Sequence, residues 1–196
     1  MLAEGDRIEH GNGLETLNPS TQPLPCPEGA AAPVVARRQA LIDNLPYAAM
    51  ILLGAAIFAV SLGSPLWQWL SVAGYVAYGV LGALWIMLFV CPWCHFYDTR
   101  LCPCGYGRIA AKLRAKKDGD DFARRFKRHI PVIVPLWLLP PVAGGIAAYR
   151  EFSWLLAVLL AAFVVNSYAI LPLLSKRYGC VKCPQKDTCP WMGGCR

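Results

Sequence analysis

The sequence predicts an all-α integral membrane protein, with four transmembrane helices in two hairpins, each hairpin followed by a cysteine-rich, metal-binding tail. Three observations predict it. Of the 196 residues, 56% are hydrophobic and only 16% charged, whereas a soluble domain carries about a quarter charged residues. The apolar residues fall into runs long enough to cross a hydrocarbon core. A stretch of four cysteines follows the second run directly and another follows the fourth, so the arrangement occurs twice.

Residues 1–44 read as a polar, disordered tail rich in Pro, Gly and Ala. They lack a basic start followed by an apolar segment, so no signal peptide is expected. Residues 45–90 read as the first hairpin. Its first span covers 45–62, Gly63-Ser64-Pro65 makes the turn, and the second span covers 66–90. Gly54, Ala55, Ala56 and Ala59 in one span, and Gly74, Gly79, Gly82 and Ala83 in the other, are small enough to let helices approach closely in lipid. Trp67 and Trp69 mark an interface.

Residues 91–130 form a cysteine-rich and basic segment. After the cysteines, Ile109, Leu113, Phe122 and Phe126 recur at near-helical spacing among Lys and Arg. Asp118-Gly119-Asp120 divides them into two short helices, with Asp120 as the second N-cap. Such helices suit an anionic membrane surface, or simply form a charged loop. Residues 131–174 read as the second hairpin, with spans over 131–148 and 152–174. The first of these holds Pro131, Pro135, Pro140 and Pro141. Each proline removes a backbone donor, so the carbonyls it frees need donors from elsewhere. Residues 175–196 are the second cysteine-rich tail.

Charge assigns the sides. All but Arg150 of the 19 Lys and Arg residues lie in the N-terminal tail, the 91–130 segment or the C-terminal tail. The positive-inside rule places those segments and both termini in the cytoplasm, and the chain in the cytoplasmic (inner) membrane. Thiols there are kept reduced, which favours metal binding over structural disulfides. A basic segment between spans is ordinary membrane topology, so lipid is an expected partner and nucleic acid is not. No Asp, Glu, Lys, Arg or His lies between 47 and 90 or between 131 and 148. That argues against a pump or an ion-coupled transporter.

The first motif, C-x2-C-x7-C-x-C, comprises Cys91, Cys94, Cys102 and Cys104. The second, C-x2-C-x5-C-x5-C, comprises Cys180, Cys183, Cys189 and Cys195. Both run from C-x2-C through Asp-Thr to Cys-Pro, which marks an internal repeat. Four thiolates are the usual ligand set of Zn²⁺ or an iron–sulfur cluster. Proline follows Cys91, Cys102, Cys183 and Cys189, as in ferredoxin-type loops. Two [4Fe–4S] clusters, one per tail, are the expectation. Zinc is the alternative, and one shared site or dithiol chemistry are the other readings. His95 is a further candidate ligand or a hydrogen-bond donor to a cluster sulfur. Cys26, in Pro-Cys-Pro, is expected to be a free thiol.

The second motif resembles the C-x2-C-x5-C auxiliary-cluster motif in the C-terminal domains of some radical enzymes. The architecture resembles small four-span iron–sulfur quinol-oxidising proteins, although the tandem ferredoxin pattern C-x2-C-x2-C-x3-C-P is absent. Four spans with Cys-Pro-Trp-Cys also resemble the disulfide-generating membrane enzymes, whose reactive pairs lie on the oxidising side.

The expected function is a membrane-bound iron–sulfur electron-transfer or accessory subunit, working with a larger complex or a soluble redox partner. Quinone is a candidate partner, with Tyr75, Tyr78, Asn166, Tyr168 and His95 as available polar groups. The alternatives are a zinc or soft-metal scaffold, a metal-handling protein, or a thiol–disulfide oxidoreductase. No nucleophile–base pair, phosphate loop or carboxylate dyad is evident, which favours a component over a stand-alone enzyme.

A phosphatase reporter that is active only outside the cytoplasm tests the assignment of sides. It is expected to be active when inserted at 149–153 and inactive when fused after 196. The opposite pattern would put the cysteines in an oxidising compartment.

Overall fold

The computed structural model describes residues 37–117, 121–180 and 189. The expected tail over 1–36 with Cys26, the expected N-cap Asp120, and Cys183 and Cys195 lie outside the described residues. Every regular element among those described is helical.

Seven α-helices follow in chain order: α1 (Arg37–Ser61), α2 (Pro65–Phe89), α3 (Tyr106–Leu113), α4 (Phe122–His129), α5 (Pro135–Arg150), α6 (Trp154–Val164) and α7 (Leu171–Leu174). Tight 3₁₀ turns occupy Cys91–Trp93 and Ile130–Ile133, and wide π turns occupy Val165–Ile170 and Ser175–Cys180. Four helical stretches are long and apolar enough to cross a membrane: Ala40–Ser61, Pro65–Trp93, Phe122–Arg150 and Trp154–Arg177.

Two starts differ from expectation. The first helix begins at Arg37, ahead of the span expected from 45, and continues through Pro46. The third stretch begins at Phe122, because α4 passes through the 3₁₀ turn into α5. Pro131 and Pro135 stand in the first turn of their helical segments, where no backbone donor is needed.

α1 packs against α2, α5 and α6. Met50, Ile57, Tyr75, Leu136, Leu156 and Phe163 form the buried core between them. Small residues let the helices close. A Cβ added at Gly54 would lie 2.4 Å from the Tyr75 ring, and one at Gly144 2.7 Å from Leu160. Gly74 departs from expectation: nothing lies within 4 Å of its Cβ position, so it is no packing site. Large apolar side chains cover the outside, with Trp69 72% and Leu52 69% exposed. A surface of that kind is at home in lipid.

The prolines inside α5 set the polar contacts between helices. Pro140 cannot donate to Leu136 O, nor Pro141 to Trp137 O, each four residues earlier. Tyr75 Oη donates to Leu136 O at 2.8 Å, and Tyr168 Oη donates to Trp137 O at 3.0 Å. The two freed carbonyls are thus bonded from α2 and from the π turn. That turn ends just before Pro172, whose missing N–H would otherwise bond Tyr168 O, and Leu171 N–H reaches back to Asn166 O. Further side chains also bond backbone carbonyls of neighbouring spans: Asn166 Nδ2 to Pro46 O at 2.9 Å, Tyr47 Oη to Gly79 O at 2.9 Å, and Tyr78 Oη to Val132 O.

Tyr75→Phe is expected to cost about 1 kcal/mol, the loss of one buried hydrogen bond, read as thermal unfolding in detergent. In a Pro140→Ala background, where the helix supplies its own N–H, the same change should cost close to nothing. An equal cost in both backgrounds would break the link between the tyrosine and the proline.

Candidate metal centre

The first cysteine loop begins where α2 stops. Val90 N–H closes the last turn on Ile86 O at 2.9 Å, and the Cys91–Trp93 3₁₀ turn follows. A chain of tight turns then carries the loop: Cys94 N to Cys91 O at 3.0 Å, Tyr97 N to Cys94 O at 3.0 Å, and Gly105 N to Cys102 O at 3.2 Å. Asp98 and Gly105 take positive φ values of 55° and 75°, a conformation that is free of strain only for glycine.

Three contacts anchor the loop. Lys117 N–H bonds Pro92 O at 2.9 Å. Asn44 Nδ2, on α1, donates to Cys104 O at 2.9 Å. Tyr97 is buried with Met87 and Ala110, and its hydroxyl donates to Arg114 O.

Cys102 and Cys104 form the best-defined pair, with sulfurs 3.7 Å apart. Gly107 N–H, in the first turn of α3, points at Cys102 Sγ from 3.3 Å. A Cβ at Gly107 would sit 2.8 Å from Phe96 O, so the close approach requires glycine. The hydrogen bond from Cys104 draws the Cys102 thiol down to about 6; burial opposes this, and the amides of Gly107, Gly105 and Cys104 add to it. Cys104 goes well above the ordinary range, because it keeps the proton it offers to Cys102 and is itself desolvated. The pair thus shares a proton, and the amide hydrogen bonds that converge on Cys102 favour it as the thiolate, the form that binds metal.

Cys91 is half-buried against the Met87–Tyr97–Ala110 cluster. Cys94 packs instead against a second cluster of Val90, Phe122 and Cys189, alongside Trp93 and Phe126. Cys189 belongs to the second motif, so a member of that motif is buried at the first. Cys180 ends the last π turn, and its side chain is outside the described residues. His95 is exposed, with its ring edge-on to Phe96 at 5.8 Å.

Two thiolates on one tetrahedral metal, each at about 2.3 Å, place their sulfurs roughly 3.8 Å apart. The Cys102–Cys104 pair has that separation, and its thiolate character suits a soft metal. Among the described residues, no three His, Cys, Asp or Glu side chains converge to hold an ion. The pair could supply two ligands of a metal, with the remaining donors coming from other cysteines of the two motifs.

The span residues singled out for quinone have other work: Tyr75, Tyr78, Asn166 and Tyr168 all donate to helix carbonyls. Sequence reasoning missed Gly107 and Asn44. The Cys-Gly-Tyr-Gly run after the last cysteine was a usable signal for the first; nothing in the sequence pointed to the second. No protein-family model, no curated protein and no solved structure matches the chain.

In metal-free protein, iodoacetamide should alkylate Cys102 with a rate midpoint near pH 6, mapped by mass spectrometry. Cys104→Ala removes a donor to the thiolate, and Gly107→Ala, whose Cβ would meet Phe96 O, pushes the Gly107 N–H away from it, so each should move the midpoint upward. A midpoint unmoved by both would overturn the hydrogen-bond account.

Proposed function

We propose that this membrane protein holds thiolate-ligated metal at its cytoplasmic face, as an iron–sulfur centre serving electron transfer, in the role of a component rather than a stand-alone enzyme. One observation carries the reading: an anchored loop holds Cys102, bonded by the Gly107 amide, 3.7 Å from Cys104. Amide donors to a ligand sulfur are a standard means of tuning a cluster's potential. The charge bias supports the cytoplasmic side.

The same distance bears on the choice of cofactor. Two cysteines share each iron of a [2Fe–2S] centre, and two can share one zinc. A [4Fe–4S] cluster gives each cysteine its own iron, so the pair would have to spread. Zinc is thus the second reading, with the metal stapling a loop that has little core of its own. The electron partners would be a membrane quinone and a soluble redox protein or larger complex. The tyrosine hydroxyls inside the spans are already bonded to carbonyls, so a quinone would dock without them.

Anaerobic purification with assay of iron, acid-labile sulfide and zinc tests the proposal. Matching iron and sulfide, with a visible band that bleaches on dithionite and is lost in Cys102→Ser, is the expected result. Colourless zinc would move the protein to the staple reading. Absence of metal with a freely alkylated Cys102 would point to dithiol chemistry.

A further inference from the structure

A cleft of about 280 Å³ lies beside the cysteine loop, lined by Phe89, Trp93, Arg114, Lys117 and Arg125. Its cations come from separate parts of the chain: the end of α3, the stretch after it, and α4. The two arginines are held from behind by their side chains, and the lysine by its backbone. Arg114 donates to Leu88 O at 3.0 Å and lies 5.2 Å over the Phe89 ring. Lys117 is tied through its backbone to Pro92. Arg125 lies 4.7 Å over the Trp93 ring, and its buried Nε has no hydrogen-bond partner. Among the described residues the ion pair is Arg124–Asp121, outside the cleft.

We infer that this cleft binds the phosphate of an anionic phospholipid. Three cations converging on one cleft suit a phosphate oxyanion. The volume takes a head group. Depth favours lipid over a free anion, because Phe89 is the last residue of α2, which belongs to a membrane-crossing stretch. Trp85 and Leu81 stand one and two turns back on the same helix face. Leu81 is 61% exposed, and the Trp85 and Phe89 rings touch with centroids 4.3 Å apart. That apolar stripe gives acyl chains a path from the cleft into the bilayer. The site stands apart from the metal reading and needs no cofactor.

Native mass spectrometry of the full chain, released from micelles with phosphatidylglycerol or phosphatidylcholine, tests the inference. Phosphatidylglycerol should be retained preferentially. Arg114→Gln, Lys117→Gln and Arg125→Gln should each lower its retention about fivefold, the effect of one cation near a lipid surface. Arg125→Lys keeps the charge and should retain most binding, which separates a lost site from a lost fold. Arg128→Gln, outside the cleft, should change little. Equal loss in Arg128→Gln, or equal retention of the two lipids, would overturn the site. Displacement of the lipid by millimolar inorganic phosphate would overturn the lipid as occupant.

Discussion

A helix carbonyl in hydrocarbon has no water to bond, so each one freed by proline must find a donor within the protein. α5 has two such carbonyls, Leu136 O and Trp137 O. Their donors, Tyr75 and Tyr168, lie on different spans. That requirement fixes the rotation of α2 and of the fourth stretch against α5. With α2 so turned, the Tyr75 ring lies over Gly54, which leaves room for it and brings α1 close. The packing of small residues and the bonding of prolines are therefore one arrangement.

The cysteine loop inherits its position from that arrangement. It starts at the end of α2 and is held to the start of α1 by Asn44. Its thiols are thus fixed relative to the spans and do not hang on a free tail. The basic cleft uses the same framework, since Trp93 lines the cleft and also packs in the cluster that includes Cys189.

Much of the fold was legible. Four apolar runs gave four candidate spans, and the basic segment holds two short helices, Tyr106–Leu113 and Phe122–His129. The helices extend ahead of the starts at 45 and 131, because the polar and basic residues that end an apolar run do not end a helix. Gly74 was indistinguishable from Gly79, because the side of α2 that faces α1 depends on a tyrosine bonding to another span. For the same reason the tyrosines read as free polar groups. In the site, the C-x-C spacing marked Cys102 and Cys104 as neighbours. Asn44, sixty positions from Cys104, is a tertiary partner that no local pattern encodes. The contact of Cys189 with Val90 and Phe122 is likewise tertiary.

That last contact has a consequence for biogenesis. Cys189 is synthesised after the fourth membrane-crossing stretch, while the surface it covers is built from the end of α2 and the start of α4. The ribosome delivers the first cysteine loop about a hundred residues before the residue that closes over it. At the elongation speeds of cells this leaves a window of about 5–20 seconds in which the loop is anchored but uncapped.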